Sequence, residues 1–302
     1  MDGIINIYKE QDYTSHDVVA RLRGILHTKK IGHTGTLDPM AEGVLPVCVG
    51  GATKLCELLT DHDKEYIAQM VLGRTYDTLD VTGNLLEERE VMSTKDEIEE
   101  AVKSFVGGYE QTPPMYSAKK VGGKKLYELA RSGVEVERKS VFVDIYSIDI
   151  LSVEMPYVRI KVSCGRGTYI RSLIDDIGKK LGCGAAMSAL TRTKVGNYTI
   201  DGAFRLSEIE AAMDSGRISD VMQSLESVFD GLDSLYTTGD MSKLVRNGNA
   251  LGGKDVRKEA GVTERCEEGT RIKVYDANRC FVGVYEYKTA RDIYKPYKMF
   301  LT

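Results

Sequence analysis

Residues 32–47 read GHTGTLDPMAEGVLPV, and the architecture of the chain is best read outward from them. Gly32, Gly35, Pro39 and Gly43 interrupt any regular element, whereas the run 45–49 that follows is apolar and strand-like. The polar residues His33, Thr34, Thr36 and Asp38 therefore fall on a tight loop between two packed elements. Asp38 stands between Leu37 and Pro39, five residues after a histidine. Alone, a loop aspartate is a turn-former that bonds its own backbone. As chemistry, an ionised carboxylate on a Gly-rich loop is a candidate nucleophile or charge stabiliser.

Upstream of the loop, residues 4–8 are strand-like. Ser15 is placed to cap a helix in which Val18, Val19, Leu22, Ile25 and Leu26 recur at helical spacing, closed by Lys29 and Lys30. Downstream, strands are expected at 66–72, 142–151, 158–164 and 195–200, and helices at 93–105, 168–181 and 207–214. No regular βαβ period links them, so the expectation is an α+β class with a mixed β-sheet and flanking helices. Between 111 and 139 the pattern fails. Two prolines, Gly122-Gly123 and the lysines 119, 120, 124 and 125 mark a long mobile insertion of the functional kind. Past residue 230, the alternating runs 271–275 and 281–287 flank Asp276-Ala277-Asn278-Arg279, a hairpin signal that points to a small β-barrel-like second domain. The expected division is 1–234 and 235–302.

The chain has 302 residues and a formal net charge of −4, which by itself argues against a nucleic-acid binder. Its distribution argues otherwise. Residues 119–131 carry Lys119, Lys120, Lys124, Lys125 and Arg131 against Glu128 alone, and residues 158–194 carry eight cations against Asp175 and Asp176. Residues 201–233 carry eight acids and two arginines. Each run is either a solvated face or part of a phosphate-binding one. Six cysteines without a CxxC pair and four histidines outside any ligand spacing predict buried thiols and no metal. No signal segment opens the chain and no run of 18 apolar residues follows, so a cytoplasmic protein without a membrane partner is expected.

The loop GHTGTLDPMAEGVLPV resembles the signature loop of the TruB family of pseudouridine synthases. In the same order along the chain, Asp63-Lys64-Glu65-Tyr66 and LGRTYDTLDVTG resemble the family's aromatic-bearing strand and the loop after it. QTPPMYSAKKVGGKKLYELARSG is similar to its RNA-gripping insertion, and CGRGTYIRSLIDDIGKKLGCGAAMSALTRTKVGNY to its arginine motif. The likeness spans essentially residues 1–200. Two departures stand out: Glu10-Gln11-Asp12 follows Lys9 where the family shows proline and glycine, and Ala185-Ala186 stands where some relatives carry a histidine.

The resemblance implies a stand-alone enzyme that isomerises the T-loop uridine at position 55 of tRNA, without cofactor, metal, guide RNA or obligate protein partner. Its residues carry over as follows. Asp38 is the catalytic carboxylate, Arg171 its arginine partner, and Asp80 holds the far side of Arg171. Tyr66 stacks on the flipped base and is placed to take the proton from carbon 5. Tyr169 and Leu190 contact the pocket, His33 occupies space near the everted nucleotide, and Lys9 aligns among the substrate contacts. Lys119, Lys120, Lys124 and Lys125 belong to a clamp on the T-stem and loop. Residues 1–234 become the synthase domain and 235–302 a PUA-like RNA-binding module. Two other readings stay open: a guide-dependent dyskerin-type subunit, and an RNA-binding or tRNA-folding module whose catalysis is dispensable.

Overall fold

Strict alternation builds the centre of the molecule. In Lys64–Leu72 the side chains of Lys64, Tyr66, Ala68 and Met70 turn to one buried face. This strand is paired on both sides, antiparallel to Tyr157–Cys164 and to Ala185–Val195. The computed structural model describes residues 1–117, 119–134, 136–261 and 264–301. Its eight-stranded mixed sheet runs in the order Gly3–Lys9, Glu42–Val49, Ala185–Val195, Lys64–Leu72, Tyr157–Cys164, Ile145–Glu154, with Ile31–His33 and Tyr198–Thr199 attached to the second and third strands. The helix Ile170–Leu181 lays Ile170, Leu173, Ile174 and Ile177 on the core beside Met70, Leu72, Ile160 and Met187. Gly178 allows its approach, since a β-carbon there would lie 2.1 Å from the amide nitrogen of Ala185.

The α+β expectation holds, with informative differences at the element ends. The first helix, Ser15–Ile25, is capped by Thr14 in a reciprocal box with Asp17, not by Ser15. Ser15 is instead fully buried and holds Leu37 of the aspartate loop. Lys29 and Lys30 lie beyond that helix, and Arg23 occupies its last turn. The region expected as one strand at 142–151 divides into Val141–Val143 and Ile145–Glu154. The strand expected at 195–200 is the tip of a hairpin: Ala185–Val195 turns at Gly196 (φ +53°) and returns as Tyr198–Thr199. Within the insertion lie the short hairpin Lys120–Val121 and Lys124–Lys125 and the helix Leu126–Arg131.

The chain divides into two compact units, one of residues 5–47 and 55–221, the other of residues 1–4, 48–54 and 222–302. The second unit holds a curled five-stranded sheet of PUA-like character, in the order Ser234–Tyr236, Arg271–Tyr275, Phe281–Lys288, Ile293–Met299, Leu251–Gly252. The expected hairpin around residues 276–279 is present, with Tyr275 opposite Phe281. Leu235, Val274, Tyr285 and Tyr287 lie in its core. Among the described residues no helix is long and apolar enough to cross a membrane. Cys48, Cys164 and Cys183 are buried and in no disulfide, whereas Cys280 is exposed.

Candidate active site

The aspartate loop is held from four sides before it presents anything. Ser15 Oγ accepts the Leu37 amide at 2.9 Å, and the Asp12 amide donates to Pro39 O at 2.9 Å. Lys9 Nζ donates to Pro39 O at 3.2 Å, and Arg192 donates through Nε to Val44 O at 2.7 Å and through Nη2 to Gly35 O at 3.3 Å. Thr34 closes the base of the loop on Pro46 O. The carboxylate of Asp38 is thus carried on a braced turn, the kind of support that fixes a side chain's orientation.

Arg171 enters from the first turn of the helix Ile170–Leu181, itself anchored by Gln111: its Oε1 accepts the Tyr169 amide at 2.8 Å, and its Nε2 donates to Tyr169 O at 3.1 Å. Arg171 is 5% exposed, and its guanidinium makes three hydrogen bonds and two further ion-pair contacts. Nε meets Asp38 Oδ2 at 2.9 Å, and Nη2 meets Asp38 Oδ1 at 3.1 Å and Tyr116 O at 2.7 Å. Nη1 meets Thr78 O at 3.0 Å and faces Asp80 Oδ2 at 3.6 Å. Asp80 is buried behind this pair. Its Oδ1 accepts from Thr78 Oγ1, the Thr82 amide and Thr82 Oγ1. Burial pushes the Asp38 carboxyl above the usual aspartate range, and Arg171 pulls against that rise.

A cavity of about 690 Å³ opens over Asp38 and Arg171. Among its walls are Tyr66, Tyr169, Leu190 and Lys119, together with three residues that the sequence reading did not single out: Lys64, Phe142 and Arg192. Burial raises the phenol pKa of both Tyr66 and Tyr169, and for Tyr66 the Arg192 guanidinium opposes the rise. Lys64 carried a usable signal, because it stands two residues before Tyr66 on a strand and therefore on the same face. Arg192 lies opposite Tyr66 in the sheet register, a relationship that exists only once the strands have paired.

Six expected residues therefore surround one space: Asp38, Tyr66, Arg171, Tyr169, Leu190 and Lys119. Asp80 does not line it and acts through Arg171. Lys9 departs from the expected substrate contact. It is 0% exposed, and its ammonium is spent on Glu10 O, Tyr13 O and Pro39 O, so no donor is left for a ligand. His33 is outside the cavity lining. Its Nδ1 accepts the Gly35 amide and its ring meets His16 edge-on, while burial lowers its pKa to about 4 and keeps it neutral. Lys120 and Lys124 are exposed on the short insertion hairpin. The Lys125 side chain lies outside the described residues.

The TruB family pseudouridylate synthase (N terminal domain) profile matches residues 23–170, and the tRNA pseudouridylate synthase B C-terminal domain profile matches residues 171–237. The chain belongs to the TruB family. A protein of Lachnoclostridium phytofermentans named tRNA pseudouridine synthase B is 49% identical, with 100% of each chain covered. Another of that name from Alkaliphilus oremlandii is 47% identical over 83% of each. In the structure of an H/ACA RNP bound to a substrate RNA containing 2'-deoxyuridine, one chain superposes with a TM-score of 0.71 at 25% identity, covering 99% of this chain and 85% of that one. This TruB-family chain is a pseudouridine synthase, as its loop and arginine motifs implied.

Proposed function

We propose that the protein converts the T-loop uridine at position 55 of tRNA to pseudouridine, in the cytoplasm, with no guide RNA and no cofactor. One observation carries the reading: the Asp38 carboxylate is gripped through both oxygens by the buried Arg171 guanidinium beside a cavity large enough for a nucleoside. The reaction breaks the bond from ribose C1′ to uracil N1, turns the base and joins C1′ to C5; C5 gives up its proton and N1, freed from the ribose, takes one up. Atoms balance without oxidant, metal or energy source. An ionised carboxylate at the ribose is what it requires, and an arginine that never deprotonates works in that direction against the burial of Asp38.

The target base must leave the RNA fold to reach Asp38, and flipped bases are held by stacking. Tyr66, Tyr169 and Leu190 supply apolar and aromatic walls for it. Burial keeps the Tyr66 phenol protonated, so in this reading Tyr66 orients the base and does not remove the proton. The insertion lysines grip the T-stem, and the PUA-like unit adds a second RNA contact. The two relatives named tRNA pseudouridine synthase B support tRNA as the substrate class. The likeness to a chain of an H/ACA RNP favours a second reading, dependence on a guide RNA.

Mapping pseudouridine in bulk tRNA after incubation with the pure protein alone tests both. Conversion at the T-loop uridine is expected. Modification only when guide RNA is added supports the second reading, and modification at other positions overturns the T-loop assignment.

A further inference from the structure

Among the described residues, Lys64 is a buried cation with no carboxylate at ion-pair distance. It is 9% exposed, lines the Asp38 cavity, and has one donor placed, on Thr60 O at 2.5 Å. The acids nearest to it along the chain are already engaged: Asp61 pairs with Arg166 at 2.9 Å, Asp63 accepts from the Tyr146 hydroxyl at 2.9 Å, and Glu65 pairs with Lys161 at 2.9 Å. An ammonium taken out of water with two donors unplaced is costly unless an anion arrives. The charge of the cavity points the same way. Of its cations, Arg171 is matched by Asp38 and Arg166 by Asp61, which leaves Lys64, Lys119 and Arg192 as positive surplus.

Resting on the pseudouridylation reading above, we propose that Lys64 Nζ seats a phosphodiester of the substrate RNA, the linkage joined to the ribose of the flipped uridine. A nucleotide that turns out of its stack brings its own phosphates with it, and each is a monoanion that accepts hydrogen bonds. Lys64 shares one face of its strand with Tyr66. The base on Tyr66 and the phosphate on Lys64 are then held by side chains two residues apart, with the ribose directed to Asp38. Arg192, fully buried opposite Tyr66, adds positive field behind the seat.

The test is a cycle of protein and substrate changes. Wild type and Lys64→Met are assayed on T-stem-loop RNAs in which the linkage 5′ or 3′ to the target uridine is replaced by an uncharged methylphosphonate. Lys64→Met is expected to lower kcat/KM about 10- to 100-fold on the all-phosphodiester RNA. One methylphosphonate is expected to cost wild type as much and Lys64→Met nothing further, and Lys64→Arg is expected to recover most of the activity. Losses that multiply at both linkages overturn the seat, as does full activity of Lys64→Met. Thermal unfolding supplies a readout that a merely structural lysine would move the other way: Lys64→Met is expected to be no less stable than wild type. A lowered Tm that Lys64→Arg does not restore also overturns the proposal. If wild type leaves the stem-loop untouched, the T-loop reading falls by itself, and the same linkages are then placed, by ligation, beside the uridine that is converted in bulk tRNA.

Discussion

Asp38 and Arg171 face each other through two contacts, Nε to Oδ2 at 2.9 Å and Nη2 to Oδ1 at 3.1 Å, though 133 residues separate them. This fork restricts the carboxylate in plane and opposes the rise that burial gives its pKa. Asp38→Asn preserves shape but removes the charge. Pseudouridine formation is expected to fall by at least about a thousandfold, as when a reacting group is deleted, while tRNA affinity stays within about threefold of wild type. Turnover at the wild-type rate, measured by tritium release or by mapping, would remove Asp38 from the reaction.

Arg171→Lys keeps a positive charge but cannot reproduce a planar fork that also reaches Thr78 O and Tyr116 O. Its kcat is expected to drop about a hundredfold. Arg171→Met is expected to lose about 3–5 kcal/mol of stability, because the buried Asp80 and the partly exposed Asp38 then stand without their cation. Without Arg171 the Asp38 pKa rises further above its unfolded value, so the folded state of the variant binds the proton more readily than the unfolded chain. Its stability deficit relative to wild type therefore shrinks as pH falls. Denaturant melts of both proteins from neutral to mildly acid pH check the sign, and a deficit that widens on acidification contradicts it.

How much of this was legible without the structure follows from how local each feature is. Asp38, Arg171 and Tyr66 sit in strings that identify themselves, and strand alternation carried Lys64 to the same face as Tyr66. The strand Ala185–Val195 went unread because AAMSALTRTKV mixes small, polar and cationic residues. Its strand character comes from neighbours on both sides, and burial patterns of that kind are set by tertiary context. Lys9 was expected as a substrate contact because it aligns with the family pattern, and a sequence does not display the three carbonyls that consume its donors. Residues 1–4 and 48–54 join the second unit, a grouping no local pattern announces.

Lys9 and Lys64 form an internal comparison. Burial lowers both to about 8. In each case the folded pKa lies below the unfolded one, so the destabilisation is fully present at neutral pH and is relieved as pH rises from about 8 towards the unfolded lysine value near 10.4. Arg192, Asp61, Asp63 and Cys164 face Lys64 and set its field. The partners differ, however. Lys9→Met strands Glu10 O, Tyr13 O and Pro39 O and is expected to cost about 2 kcal/mol or more, with slower catalysis because Pro39 adjoins Asp38. Lys64→Met removes an uncompensated charge, so any stability it gains at pH 7 is expected to fade above pH 8. Tm measured against pH for the two variants separates these outcomes, and parallel behaviour would contradict the distinction.

The insertion lysines are expected to act through counterion release. Replacing Lys119, Lys120, Lys124 and Lys125 by Gln is expected to weaken tRNA binding and to flatten the dependence of log K on log salt by up to about 0.7–0.9 per lost phosphate contact. Filter binding between low and physiological salt measures both quantities. Unchanged affinity and slope would show that the hairpin does not grip RNA.

Gly43 provides a purely steric test of the bracing around Asp38. Its φ is +103°, and a β-carbon there would sit 2.3 Å from the carbonyl oxygen of Arg192, where the Glu42–Val49 strand runs parallel to Ala185–Val195. Gly43→Ala must push these strands apart and disturb the Arg192 hydrogen bonds to Val44 O and Gly35 O that hold the aspartate loop. The expected cost is about 2–4 kcal/mol of stability, since backbone strain and a core clash act together. Below the melting transition, the surviving folded enzyme is also expected to show reduced kcat. Gly24 is the control. It lies in the helix Ser15–Ile25 with nothing within 4 Å of an added β-carbon, so Gly24→Ala is expected to stabilise by about 0.5–1 kcal/mol and leave activity unchanged. Equal effects of the two substitutions would show that strand contact at Gly43 does not position the Asp38 loop.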